Sequence, residues 1–205
     1  MSLNLTDLST ILAEIQPMLT GGWIQKIHQP HDFSLTLDIR SQGASVVVYI
    51  CTEPKLARLH FVSKKFTNPA TPRPFCQFLR SHIEGGRIEE ITQQPGDRLC
   101  FISVKKDEKP YTLAIALWGN RANILLLNEK DLLLRSLKET RINIGERFVP
   151  PTTPPTAPTH LSSPWQAGIT EKPTHAQEYF ASLYPVSAAL EMYYETRETE
   201  DNQRT

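Results

Sequence analysis

The sequence predicts an α+β fold, a two-copy, mainly antiparallel β-sandwich with one helix per copy, and three observations carry that prediction. An apolar-periodic helix ends at a Gly-Gly pair and is followed by a strand of the form G-G-x-I-x-x-I, first at Gly21-Gly22-Trp23-Ile24-Gln25-Lys26-Ile27 and again at Gly85-Gly86-Arg87-Ile88-Glu89-Glu90-Ile91. One unit used twice, at an offset of 64 residues, gives two halves expected to pack on each other; a solenoid needs at least three copies. Second, Phe33, Leu35, Leu37 and Ile39 alternate with Ser34, Thr36, Asp38 and Arg40, as a half-buried antiparallel strand requires. Third, short strand-like runs divided by turn residues outnumber helices.

In chain order, the first helix is expected to start near Thr6, whose hydroxyl can cap it, with Asp7 in the first turn where the helix dipole favours a negative charge. Leu8, Ile11, Leu12, Ile15 and Leu19 form one apolar face. Pro17 removes the bond to Ala13 and is expected to kink or tighten the last turn before Gly21 takes the left-handed cap. Strands follow at 23–29, 33–40, 44–51 and 57–63, the last placing Arg58 and His60 on one face. A proline-punctuated connector at 68–74 leads into a second helix that starts at Pro74 and buries Phe75, Phe78, Leu79, His82 and Ile83. Five more strands are expected at 86–93, 97–105, 110–118, 122–128 and 132–137. The domain is thus residues 1–149, followed by a proline-rich linker at 150–175 and a short helical tail at 176–205 that could open a coiled coil.

Composition is that of an ordinary soluble chain: 205 residues, 40% hydrophobic and 21% charged. There is no apolar run of about 18 residues, and MSLNLTDLST lacks a basic region leading into an apolar stretch, so neither a membrane span nor a signal peptide is expected and the cytoplasm is the expected compartment. Cys51, Cys76 and Cys100 are odd in number, lie in apolar runs and form no C-x-x-C, which predicts buried free thiols. Zero net charge hides a split, +4 over residues 1–150 and −4 over 151–205. A mildly basic body permits a phosphate-bearing partner without establishing one.

Catalytic signatures are scarce. There is no G-x-S-x-G, H-E-x-x-H, Walker loop or G-x-G-x-x-G, and the six His are scattered, so no catalytic residue, metal, cofactor or small-molecule substrate is predicted. The Gly-Gly pairs follow helices and so meet carbonyls, the wrong polarity for a phosphate cradle. Asp97-Arg98 stands where the turn Gln94-Pro95-Gly96 enters a strand; an acid beside a guanidinium at a strand mouth can grip a phosphate, ribose or base edge. The plainer alternative is a turn-capping Asp with a solvated Arg.

These residues resemble the N-terminal domain of the NFACT family, which includes bacterial RqcH, the fibronectin-binding protein A homologues and eukaryotic NEMF. The resemblance runs through GGWIQKIHQP, ARLHFVS, NPATPRPFCQFLRSHIEGGRIEEITQQPGDRL, the G-x-x-x-N-I-L-L run at 119–126 and GERFVPPTTPP. It implies a role in ribosome-associated quality control: binding the large ribosomal subunit obstructed by peptidyl-tRNA and recruiting tRNA, alanine-type in bacteria, for template-independent tailing. It also implies a fold similar to the N-terminal sandwich of formamidopyrimidine-DNA glycosylases. The family's first-helix acid matches Asp7 and its Asp-Arg pair matches Asp97 and Arg98, which become the candidate tRNA-binding residues; Arg58, His60 and Asn123 are further RNA-facing candidates. Trp23 and Asn120 stand where many members carry Arg. The competing functions are a DNA glycosylase, disfavoured because Met1-Ser2-Leu3-Asn4 offers no N-terminal proline or glutamate, and a fibronectin-binding adhesin, disfavoured by the lack of a secretion signal.

Overall fold

The computed structural model describes residues 3–63 and 66–151. Helix α1 (Leu5–Leu19) is followed by strands β1 (Trp23–His28), β2 (Ser34–Ser41), β3 (Ala44–Cys51) and β4 (Arg58–Val62). Helix α2 (Pro74–Ile83) is followed by β5 (Arg87–Gln93), β6 (Leu99–Lys106), β7 (Lys109–Ala116), β8 (Asn123–Leu127) and β9 (Leu133–Ser136). Every strand pair is antiparallel, so the class is α+β with a mainly antiparallel sheet and two helices. The expected linker and helical tail lie outside the described residues, apart from Pro150 and Pro151.

The α1 start differs from expectation. Asn4, not Thr6, is the N-cap: its carboxamide oxygen accepts from the Asp7 N–H at 2.8 Å, and the Asp7 carboxylate accepts from the Asn4 N–H at 3.2 Å. Asn caps as well as a hydroxyl does, and an acid three residues on closes the reciprocal box. Pro17 stays inside the helix, which ends at Leu19, and Gly21 adopts φ +81°. In α2 the buried stripe is Phe75, Cys76, Leu79 and Ile83. Phe78 and His82 lie at its rim, rings stacked at 4.1 Å, with His82 edge-on to Tyr111.

The strands form one hydrogen-bonded sheet in the order β4-β3-β2-β1-β5-β6-β7-β8-β9, where two separate stacked sheets were expected. That sheet is not flat. Lys138, just past β9, donates through Nζ to the Thr52 carbonyl just past β3. In a flat sheet those strands would stand about 34 Å apart at the usual strand spacing, so the two halves must curl toward each other.

The halves join where β1 meets β5. Gly21 N–H donates to Ile88 O at 2.8 Å and Gly85 N–H to Ile24 O at 2.7 Å; Ile24 N–H donates to Gly86 O at 2.9 Å and Ile88 N–H to Gly22 O at 2.8 Å. Both strands shift register one step further on, at Ile24/Lys26 and Ile88/Glu90. Each helix packs across this junction, α1 on β5 and α2 on β1. The core so enclosed holds Leu8, Ile11, Ile15, Ile24, Ile27, Leu79, Ile83, Ile88 and Ile102, each no more than 1% exposed. A second apolar cluster, Leu99, Ala114, Ala116, Leu125, Leu127, Leu133 and Phe148, covers the other face of β6–β8.

β2 departs from simple alternation. Its polar face was expected to meet water, yet Ser34 and Thr36 are as buried as Leu35 and Leu37. Cys51, Cys76 and Cys100 are buried free thiols, and burial pushes the Cys100 thiol up to about 12. Among the described residues no helix is long and apolar enough to cross a membrane.

Candidate functional site

Asp97 and Arg98 sit at the mouth of β6, on a turn set by Gly96 in the left-handed region at φ +70° and by the Asp97 N–H donating to Gln94 O. The turn is tied to its surroundings on three sides. Gln93 Nε2 donates to the Asp97 carbonyl at 2.9 Å, and Ser9 Oγ of α1 donates to Gln93 Oε1 at 2.8 Å. Trp118, in the loop after β7, donates its indole N–H to Asp97 Oδ1 at 2.7 Å. The Arg98 N–H donates to the same carboxylate oxygen, and Arg98 Nη1 donates to the Leu3 carbonyl at 3.2 Å, immediately before the α1 cap.

The first turn of α1, which carries Asp7, therefore lies beside the Asp97-Arg98 turn, from the other half of the chain. Asp7, Asp97 and Arg98 are all half-buried. Their roles differ. Asp97 is engaged as an acceptor for a backbone and an indole N–H, so it holds the loops in place and presents Arg98 through the main chain. Arg98 commits one of its five guanidinium N–H groups to the Leu3 carbonyl. The 3-10 turn Gly119–Arg121 beside Trp118 carries an exposed Arg121, so this loop keeps a guanidinium one residue beyond Asn120.

The other three candidates lie elsewhere. Asn123 is buried: its side-chain oxygen accepts from the N–H groups of Ile124 and Lys138, both at 2.9 Å, and its amide donates to Lys138 O at 3.1 Å. Its work is to fix the chain after β9, and it presents no surface to RNA. Arg58 is only 9% exposed, on the buried polar face of β2–β4. His60 is two residues along the same strand, its Nδ1 against the Phe61 carbonyl at 2.8 Å. Trp118, Gln93, Ser9 and Leu3 had no signal in the sequence; only an indole needing an acceptor could have pointed to Trp118.

Burial, partly offset by the Phe61 hydrogen bond and reinforced by the Arg58 charge, pulls the His60 imidazole down to about 4 from 6.5. The folded chain thus binds this proton less readily than the unfolded one. Its contribution is intact above pH 6.5 and is lost as pH falls toward 4, costing on the order of 2 kcal/mol after allowance for partial exposure. Urea midpoints from pH 7 to 4.5 should fall more steeply for the wild type than for His60→Gln; parallel lines would refute the assignment. Among the described residues no group of His, Cys, Asp or Glu could hold a metal ion.

Comparison with known proteins bears on this geometry. The chain is 33% identical over 131 residues to the Rqc2 homolog RqcH of Bacillus subtilis, covering 61% of this chain and 23% of that protein. It is 34% identical over 126 residues to the Rqc2 homolog RqcH of Streptococcus pneumoniae, covering 59% and 23%. The chain thus spans about a quarter of the length of these curated relatives. Among solved structures it is similar to the N-terminal domain of fibronectin-binding protein PavA from Streptococcus pneumoniae, with TM-score 0.67, 31% identity and coverage of 71% of this chain and 60% of that one. The N-terminal part of the fibronectin/fibrinogen-binding protein of Streptococcus suis gives TM-score 0.68, 30% identity and coverage of 72% and 60%. The family model described as NFACT N-terminal and middle domains matches residues 4–204, and the chain belongs to the NFACT family.

Proposed function

We propose that this chain is the tRNA- and ribosome-binding part of a cytoplasmic ribosome-associated quality-control factor, with no chemistry of its own. In this reading the protein engages a large subunit obstructed by peptidyl-tRNA and recruits an alanine-type tRNA for template-independent tailing. Family membership and the RqcH relatives support the setting. The observation that carries the site is the corner where the half-buried Arg98, held by Asp97 and Leu3, stands beside the start of α1. Arg98 would contact a phosphate or base edge, and Asp7 would accept from a ribose or base N–H beyond its capping bond. In the full chain, Arg98→Ala should lower the tRNA recovered with obstructed large subunits about tenfold, the worth of one good guanidinium contact, while the protein still sediments with them. Unchanged tRNA recovery would refute the role of Arg98.

We also read the exchanged hydrogen bonds about β1 and β5 as the trace of a duplicated helix-and-strands unit, of the kind expected from the glycosylase-type fold. Fibronectin binding is a second reading, favoured only by the names of the PavA-like relatives. A pull-down on immobilised fibronectin at physiological salt tests it, and retention that survives Arg98→Ala would favour it over the tRNA reading.

A further inference from the structure

Strands β2, β1, β5 and β6 stand side by side, and one rung of the ladder crosses all four: Arg40 pairs with Trp23, Trp23 with Arg87 and Arg87 with Lys105. Directly opposed residues of antiparallel strands put their side chains on the same face. That face is the outer one, because Ile39, Ile24, Ile88 and Val104, each one residue along from a member of the rung, belong to the core. Trp23 is 50% exposed, Arg40 and Arg87 are open to solvent, and the Lys105 side chain is 40% exposed. Among the described residues Trp23 is the one exposed aromatic ring.

Both neighbours of the indole are cations, and neither forms an ion pair among the described residues. Arg87 Nε donates to the Gly21 carbonyl at 3.3 Å, which anchors the stem of that guanidinium to the end of α1. Lys105 is paired with Glu108 at 2.6 Å, so the two arginines beside Trp23 hold the uncompensated charge. The next outward-facing positions carry Asp38 on β2, Lys26 on β1 and Glu90 on β5, which confines the positive charge to a stripe one rung wide. From Arg40 to Lys105 the stripe crosses three strand spacings, about 14 Å.

We propose that this stripe binds single-stranded RNA, with one unpaired base stacked on Trp23 and the phosphates flanking it held by Arg40 and Arg87. Charge selects a polyanion, and the indole selects a base, since every base has a π-face that an exposed aromatic on a sheet can take. A duplex keeps its bases stacked on one another and has none to offer. An acidic peptide would satisfy the arginines and leave the indole in water. The proposal deepens the RNA-binding reading and rests on it, yet it uses none of the Arg98 corner: Arg98 and Lys105 are seven residues apart, about 23 Å along an extended strand.

The test is fluorescence anisotropy of a labelled oligoadenylate, and of an abasic chain of the same length and charge, titrated with the full chain over a series of salt concentrations. Trp23→Thr keeps a good strand former at an exposed position; it should weaken oligoadenylate binding about tenfold and leave the weaker binding of the abasic chain unchanged. Arg40→Gln should weaken both and flatten the dependence of log affinity on log salt by about 0.7, the share of one phosphate contact on a single strand. Arg98→Ala should leave the oligoadenylate affinity where it was. Equal binding of the abasic chain, or affinity indifferent to Trp23→Thr and Arg40→Gln, overturns the proposal while leaving the effect of Arg98 on tRNA to stand. Loss of oligoadenylate binding in Arg98→Ala overturns it by placing the strand at the other corner, and displacement by polyglutamate as readily as by unlabelled oligoadenylate overturns it in favour of an acidic protein partner.

Discussion

Gly86→Ala is expected to destabilise the protein by about 3 kcal/mol, lowering the thermal midpoint by about 10 °C. A Cβ at this position would stand 2.6 Å from Val104 Cγ1, 3.0 Å from the Ile83 carbonyl and 3.2 Å from the Lys105 carbonyl. Two of those three atoms are backbone and cannot swing aside. Gly86 also supplies the carbonyl that accepts from Ile24 N–H, so any shift opens the junction on which both halves of the sheet depend. Gly85→Ala is the control. It meets nothing within 4 Å and suffers only from φ +81°, a cost of about 1 kcal/mol. Denaturant unfolding of the two variants separates close approach from backbone strain; equal losses would mean that the β1–β5 contact is not the tight joint described here.

Asp97→Ala is the second large effect, at about 2–3 kcal/mol. It strips the acceptor from two donors at once, the Trp118 indole and the Arg98 main chain, and hydrogen bonds to an ionised carboxylate are the stronger kind. Trp118→Phe removes one of the two and should cost about 1 kcal/mol. In the double variant most of that second loss should vanish, because the bond is already gone. Full additivity would show that the indole is held by something other than Asp97. Arg98→Ala, by contrast, forfeits a single bond to the Leu3 carbonyl near the surface and should leave the midpoint almost unmoved.

Much of this was legible in the sequence because it is written in local rules. The Gly-Gly pairs announce helix ends, and Asp107 and Glu108, both at positive φ, close the β6–β7 hairpin where a turn was read. The continuity of the sheet was not legible, since the pairing of β1 with β5 depends on residues 64 apart and on main-chain groups that carry no side-chain signature. The burial of Ser34, Thr36 and Arg58 escaped for a related reason. Alternation says which side chains share a face but not whether that face is covered. At the site, the family pattern singled out Asp97 and Arg98, yet residue types alone could not show that Asp97 spends its carboxylate on Trp118.

The central claim is that Arg98 is the group offered to RNA and that Asp97 serves to hold it there. The most direct measurement is the tRNA dissociation constant of the full chain and of its Arg98→Ala variant at one fixed salt concentration, with the thermal midpoint of each recorded alongside. The account predicts an affinity loss of about tenfold with midpoints within about 2 °C of each other. Equal affinities, or a loss matched by unfolding, would contradict it.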